Sequence, residues 1–211
     1  SFGENELLRD ISFQVADGER VGLVGANGCG KTTLLRILAG LEQADGGTVR
    51  LSGKAAIGLF SQVPDPAADL RTIGLEGLNP DWAYHLNQIG LDLNLPDRSE
   101  ILSGGERAKL ALGRFLAERP DLMLLDEPTN NLDLPGIQAA VKLFRAAASS
   151  LIIVSHDRYF LDSLVTRILE IEDGLIVDYA GNYTFYRQEK ERLFQEQLHR
   201  YEEGRKQQRQ I

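Results

Sequence analysis

The segment Gly25-Ala26-Asn27-Gly28-Cys29-Gly30-Lys31-Thr32 constrains this chain more than any other, because it matches G-x-x-x-x-G-K-[ST] at every fixed position. An apolar run, Arg20–Val24, precedes it, and an amphipathic stretch, Thr32–Leu41, follows. Strand, glycine-rich turn and helix in that order make a cradle for phosphate. The glycines let successive backbone N–H groups converge on an anion, and the start of the helix adds its positive dipole end. Lys31 is expected to reach the β- and γ-oxygens of ATP, and the Thr32 hydroxyl to ligate Mg2+. Residue frequencies alone yield such a match by chance in roughly 1% of chains this long, and the flanking elements lower that further.

Around this unit, short apolar runs read as strands: Ile11–Val15, Arg20–Val24, Thr48–Leu51, Ile57–Phe60, Leu122–Leu125, Leu151–Val154 and Arg167–Ile171. Helical patterns alternate with them at Thr32–Leu41, Glu106–Glu118, Pro135–Ala148 and Arg158–Leu164. The runs Leu122–Leu125 and Leu151–Val154 are continuously apolar, as parallel strands covered on both faces must be. The alternation predicts an α/β domain with a largely parallel core sheet. Residues 63–101 break the rhythm with Pro, Asp, Asn and Gly, and read as an inserted helical subdomain in which Trp82 and Tyr84 pack. After the turn at Gly181, with Asn182 as N-cap, the sequence is helical from Tyr183 onward. Unbroken to Ile211, that helix is about 43 Å long. Its apolar positions thin out, so it is expected to leave the body.

Charge narrows the possible partners. The chain carries a net −8, which argues against a body that grips nucleic acid through its general field. From Arg187 to the end, seven Lys/Arg face five Asp/Glu, so any such contact is expected to be local. By itself a helix bearing Arg200, Arg205, Lys206 and Arg209 is more often a solvated, salt-bridged face. No run approaches the roughly 18 apolar residues of a membrane span. The start lacks a signal peptide and a Met, which suggests a piece of a longer protein. A lone cysteine, Cys29, excludes an internal disulfide framework and favours a reducing compartment, hence a cytoplasmic location. Its backbone matters within the phosphate loop, and thiol activation is not evident. His85 and His199 lack metal-ligand partners at useful spacing and read as surface positions.

Leu122-Met123-Leu124-Leu125-Asp126-Glu127 supplies a second half of the site. A buried strand ending in a carboxylate places Asp126 beside the loop, where it can hold Mg2+ through water. Glu127 then points at the γ-phosphate and can orient or deprotonate an attacking water, which is most of what phosphoryl transfer needs. Alone, such a strand end is as easily a solvated terminus; beside the phosphate loop it is a strong signal. Leu102-Ser103-Gly104-Gly105-Glu106 opens the helix Glu106–Glu118, either as a second anion-binding helix start or as a simple N-cap.

These three motifs together resemble the nucleotide-binding domain of an ABC ATPase, and the resemblance spans nearly the whole chain. It implies a P-loop NTPase cassette with a mostly parallel core sheet, an antiparallel β subdomain and a small helical subdomain at about 63–115. It also implies roles for single residues. Gln62 matches the Q-loop glutamine that senses Mg2+ and the attacking water. Asn131-Leu132-Asp133 occupies the D-loop, and His156 matches the switch histidine at the γ-phosphate. Phe2, 29 residues before Lys31, stands where the family stacks an aromatic ring on adenine. ATP contacts extend over Gly25–Thr32 and Thr33, with Ser103, Gly104, Gly105 and Asp133 at the shared boundary. Ser103 and Gly105 are implied to cap the γ-phosphate on an opposite cassette, so catalysis needs a head-to-tail pair that ATP closes and hydrolysis opens.

Three stretches resemble the ABC-F subfamily, soluble twin-cassette ATPases of the ribosome. They are Asp126-Glu127-Pro128-Thr129-Asn130-Asn131-Leu132-Asp133, Ser155-His156-Asp157-Arg158-Tyr159-Phe160-Leu161-Asp162, and Gly181-Asn182-Tyr183-Thr184-Phe185-Tyr186. The resemblance implies a first cassette over 1–180 and the opening helix of the interdomain linker over 181–211, reaching toward tRNA. Only 40 residues separate Gln62 from Ser103, too few for a subdomain plus the long arm that some members insert there. Armless members include antibiotic-resistance ribosome protection factors. The competing readings are the ATPase subunit of an ABC membrane transporter, engaging membrane helices through 63–101, and a regulatory nucleotide-binding module. The presence of Glu127 and His156 disfavours the last.

Overall fold

The computed structural model describes residues 7–61, 84–85, 87–90 and 104–208. In chain order its elements are β1 (Arg20–Gly25), α1 (Lys31–Leu38), β2 (Ile57–Phe60), α2 (Gly104–Glu118), β3 (Leu122–Asp126) and α3 (Leu134–Ala146). They continue with β4 (Ser150–Val154), α4 (Arg158–Leu164), β5 (Arg167–Glu172), β6 (Leu175–Ala180) and α5 (Tyr183–Gln208). The six strands form one sheet in the order β2-β3-β4-β1-β5-β6. β1 lies parallel between β4 and β5, and only β6 runs antiparallel, against β5.

The apolar runs are continuous because both sheet faces are covered. Along β3 and β4 the side chains alternate between two cores: Leu124, Ile152 and Val154 join Leu34 and Leu35 of α1, whereas Met123, Leu125, Leu151 and Ile153 join Phe115, Phe144 and Phe160. That second layer seats α2, α3 and α4. Helix starts follow capping chemistry: Asp133 accepts the Gly136 N–H, Asp157 accepts the Phe160 N–H, and Asn182 accepts the Phe185 N–H.

Two strand expectations fail. Residues 11–15 form no strand, although burial alternates along them and Ile11, Phe13 and Val15 pack against the α1-side core. The two-residue period is present, but a strand also needs a hydrogen-bonded neighbour. What ties this segment to the sheet is a side chain, Arg167, which donates to the Gln14 carbonyl at 2.9 Å and reaches Glu19 at 3.0 Å. Residues 48–51 are all exposed, with no packed face to order them. Among the described residues, the antiparallel part of the sheet is therefore the β5–β6 hairpin alone. Its two-residue turn, Asp173 (φ 50°) and Gly174 (φ 80°), suits the twist of the flanking strands.

The C-terminal helix is present as expected, 26 residues long over Tyr183–Gln208. Only its first two turns touch the body. The Tyr186 hydroxyl donates to buried Glu170 of β5 at 2.8 Å, and the Lys190 ammonium pairs with the same carboxyl. Tyr179 and Tyr183 pack around Tyr186. Burial and the hydrogen bond to Glu170 push the Tyr186 phenol well above its ordinary value. From 191 onward every residue with a described side chain is exposed, so the helix departs from the body as expected. No described helix is long and apolar enough to cross a membrane.

Of the inserted segment, residues 84, 85, 87 and 88 are helical, and Ile89 is buried in the second core. Tyr84 is exposed rather than packed, its ring edge-on to a half-buried His85. His199 is exposed as expected, 3.3 Å from Glu203. Trp82 lies outside the described residues.

Phe160 is fully buried in α4 and meets Phe144 edge-to-face at 5.9 Å. Phe160→Ala is expected to destabilise the fold by about 3–5 kcal/mol, read as a lower midpoint in urea unfolding.

Candidate functional site

β1 ends at Gly25 in the middle of the sheet, and the loop that follows turns on glycines. A Cβ at Gly25 would lie 2.7 Å from the Ile171 carbonyl oxygen, and Gly28 and Gly30 hold φ values of 78° and 104° that side chains resist. Gly30 directly precedes α1, so the first free N–H groups of that helix face the loop. Lys31 curls over it, donating from Nζ to the carbonyls of Gly25 at 2.9 Å and Ala26 at 2.8 Å. An ammonium has three donors, so one remains for a phosphate oxygen. Cys29 packs its sulfur against the α1-side core, which agrees with a structural role.

The Thr32 hydroxyl donates to Asp126 Oδ2 at 2.8 Å, joining the loop helix to the end of β3. Asp126 is buried, and the Thr32 hydroxyl donates to it from the phosphate-loop helix. A hydroxyl and a buried carboxyl side by side are hard oxygen donors of the kind Mg2+ takes, with water filling the remaining positions. The residues thus fit the ion that the sequence implies.

Glu127 follows in a left-handed backbone conformation, φ 51°, and its N–H donates to the Val154 carbonyl at 2.8 Å. Such a φ on a non-glycine residue costs of order 1–3 kcal/mol and turns the side chain out of the strand's alternation. The carboxyl points to the loop after β4: the His156 backbone N–H donates to Oε2 at 3.2 Å, and His156 Nε2 lies 3.4 Å from Oε1. Burial pushes the Glu127 carboxyl up; the His156 amide and ring pull against that rise, and Asp126 adds to it. A carboxyl so placed can accept a proton from a water held between it and a phosphate. The Glu127 side chain is 14% exposed and the His156 ring 71%, so the glutamate is held in the site while the histidine ring faces solvent.

Residues Asn131–Asp133 make a separate joint. Asp133 caps α3 and pairs with Lys109 of α2 at 3.0 Å; this hydrogen bond holds its carboxyl below the ordinary range. Gly105 packs so tightly here that a Cβ would sit 3.0 Å from the Asn131 carbonyl oxygen. Gly105, at the start of α2, therefore abuts Asn131 of its own chain. Thr33 lies in α1 one residue beyond Thr32, and Ala26 and Asn27 line the turn. Phe2, Gln62 and Ser103 lie outside the described residues.

Sequence reasoning missed Lys109, whose charge in an amphipathic helix carries no local mark of its tie to Asp133. It also missed Glu170, for which there was a signal: a single acid inside the apolar run Arg167–Ile171.

A family profile described as ABC transporter matches residues 8–130. Among curated proteins, the chain is 36% identical over 207 residues to the energy-dependent translational throttle protein EttA of Escherichia coli K12, covering 91% of this chain and 37% of that protein. It is 35% identical over 195 residues to ABC transporter F family member 5 of Arabidopsis thaliana, covering 88% of the chain and 28% of that protein. The chain thus spans about a third of the length of these relatives. A solved complex of the archaeal ribosomal stalk protein aP1 with the archaeal ribosome recycling factor aABCE1 aligns at TM-score 0.64 and 27% identity, over 79% of this chain and 35% of that one. An ATP binding subunit of an ABC transporter aligns at TM-score 0.71, over 85% of each chain; at 20% identity this likeness concerns the fold alone.

Because Glu127 binds its proton more tightly folded than unfolded, its favourable contribution is complete below the unfolded value and is lost as pH rises through the folded one. In its ionised form, above that range, it costs stability. Glu127→Gln is therefore expected to raise Tm at neutral pH, with the difference closing toward about pH 4.3.

Proposed function

Since the chain belongs to the ABC transporter family of ATP-binding cassettes, with ABC-F proteins among its relatives, we propose that it binds and hydrolyses ATP in an ABC-F-type protein acting on the ribosome. The observation that carries the catalytic half is the convergence of Lys31, the Thr32–Asp126 pair and the Glu127–His156 contact at the ends of β1, β3 and β4. The P-loop amides and Lys31 take the β- and γ-phosphates. Thr32 and Asp126, with Gln62, would hold Mg2+, which would supply positive charge to the transferring phosphoryl group. Glu127 orients and deprotonates the attacking water, and His156 contacts the γ-phosphate from the β4 side. Phe2 stacks on adenine.

The ribosomal half rests on the relatives: one is a translational throttle, and a solved structural neighbour is a ribosome recycling factor. Ser103, Gly104 and Gly105 act on the nucleotide of a second cassette, so efficient turnover belongs to a head-to-tail pair. Residues 1–180 form the cassette, with a helical subdomain at about 63–115, and 181–211 begin the linker toward tRNA. The protein works in the cytoplasm, as a translation factor or a ribosome protection factor.

In the full-length protein, Glu127→Gln is expected to lower hydrolysis about 100-fold or more while leaving ATP bound; unchanged turnover would sink the assignment of the base. Lys31→Ala should abolish nucleotide binding, measured with a fluorescent ATP analogue. Wild-type protein with non-hydrolysable ATP should co-sediment with ribosomes, and its absence from the ribosomal pellet would refute the ribosomal half alone.

A further inference from the structure

Two of the three subfamily-like stretches, Ser155–Asp162 and Gly181–Tyr186, have only partly been absorbed by the ATP site. The fold brings them together. α4 begins within the first and α5 within the second, and they meet where Asp162 accepts the Thr184 backbone N–H at 2.7 Å. Beside that bond lies an open groove of about 400 Å3, lined by Arg158, Tyr159 and Asp162 of α4 and by Tyr183, Thr184, Arg187 and Gln188 of α5.

The chemistry of this groove differs from its surroundings. Nearby arginines are spent on structure: Arg145 on the Ser163 carbonyl, Arg167 on Asp178 and Glu19, Arg192 on Glu189 and Glu196. Arg158 and Arg187 are exposed and have no hydrogen-bond or ion-pair partner among the described residues. The groove's one carboxyl, Asp162, is engaged by a helix N–H. Tyr159 is 50% exposed, a large aromatic face left open next to two free guanidiniums. Gln188 adds an amide able both to donate and to accept. In a chain of net −8 this is a local cationic and aromatic site, with charges for phosphates and a ring for a base to stack on.

We propose that the α4–α5 groove is an RNA contact, in which Arg158 and Arg187 engage backbone phosphates of an unpaired RNA segment and Tyr159 stacks on one of its bases. The inference deepens the ribosomal reading and rests on it for the source of the RNA. Because only the cap residue Asp157 separates His156 from α4, RNA in the groove lies within one short helix of the nucleotide site.

The test uses the full-length protein carrying Arg158→Gln and Arg187→Gln together, and a separate Tyr159→Ala variant. Neither arginine holds the fold or touches the ATP site, so Tm and basal ATPase should match wild type. Two probes are titrated against salt: purified ribosomes with non-hydrolysable ATP, and a fluorescent single-stranded 12-nucleotide RNA. Loss of two phosphate contacts should weaken binding to both about tenfold and reduce the slope of log K against log salt by about 1.5. Tyr159→Ala should weaken binding about tenfold with the slope unchanged. A photo-crosslinker at position 159 should join to RNA. Equal affinity and slope for the double variant overturn the groove, as does a crosslink found only on protein, which marks an acidic protein partner instead. If wild type binds the oligonucleotide with these dependences but not ribosomes, the ribosomal reading fails and the groove stands.

Discussion

The bond between the Thr32 hydroxyl and Asp126 joins residues 94 positions apart, and the arrangement of the site depends on it. It is possible only because β1 and β3 flank β4 in one parallel sheet, so that three strands deliver their C-terminal ends to one place. The β1 end turns into the phosphate loop, the β3 end supplies Asp126 and Glu127, and the β4 end supplies His156. Each strand is held from both faces by packed side chains, which leaves its end little freedom to drift. A polar pair set on such rigid elements is preorganised for an ion and a triphosphate, and that removes an entropic cost from binding.

The same parallel order explains why much of the site was legible from residues alone. The phosphate loop is contiguous, and its signature needs no tertiary information. Leu122–Asp126 and Leu151–Val154 announce themselves because two-sided burial demands an unbroken apolar run. The left-handed turn at Glu127 was not legible, since nothing in a Glu reports a positive φ; it accompanies the bond that the Glu127 amide makes to the Val154 carbonyl across strands. Nor was the Lys109–Asp133 pair, which joins elements that only the fold brings together.

Strands at the sheet's margins proved the least readable. Residues 11–15 alternate as a strand would, yet alternation reports one packed face and says nothing about a ladder partner. β6 went unread for the opposite reason: as an edge strand it leaves Leu175 and Val177 exposed, so no clean apolar face marks it. The Asp173-Gly174 dipeptide was the available signal, a turn rather than a strand.

The anchoring of α5 has a mechanical consequence. The helix is gripped at Tyr186 and Lys190 by Glu170, on the strand hydrogen-bonded to β1, and every described side chain from 191 onward is exposed. Those free turns form a lever arm of about 27 Å. A tilt of roughly 10° at its pivot sweeps the far end through about 5 Å, comparable to one helical turn. Any change of angle at Glu170 is for that reason largest at the far end of the helix.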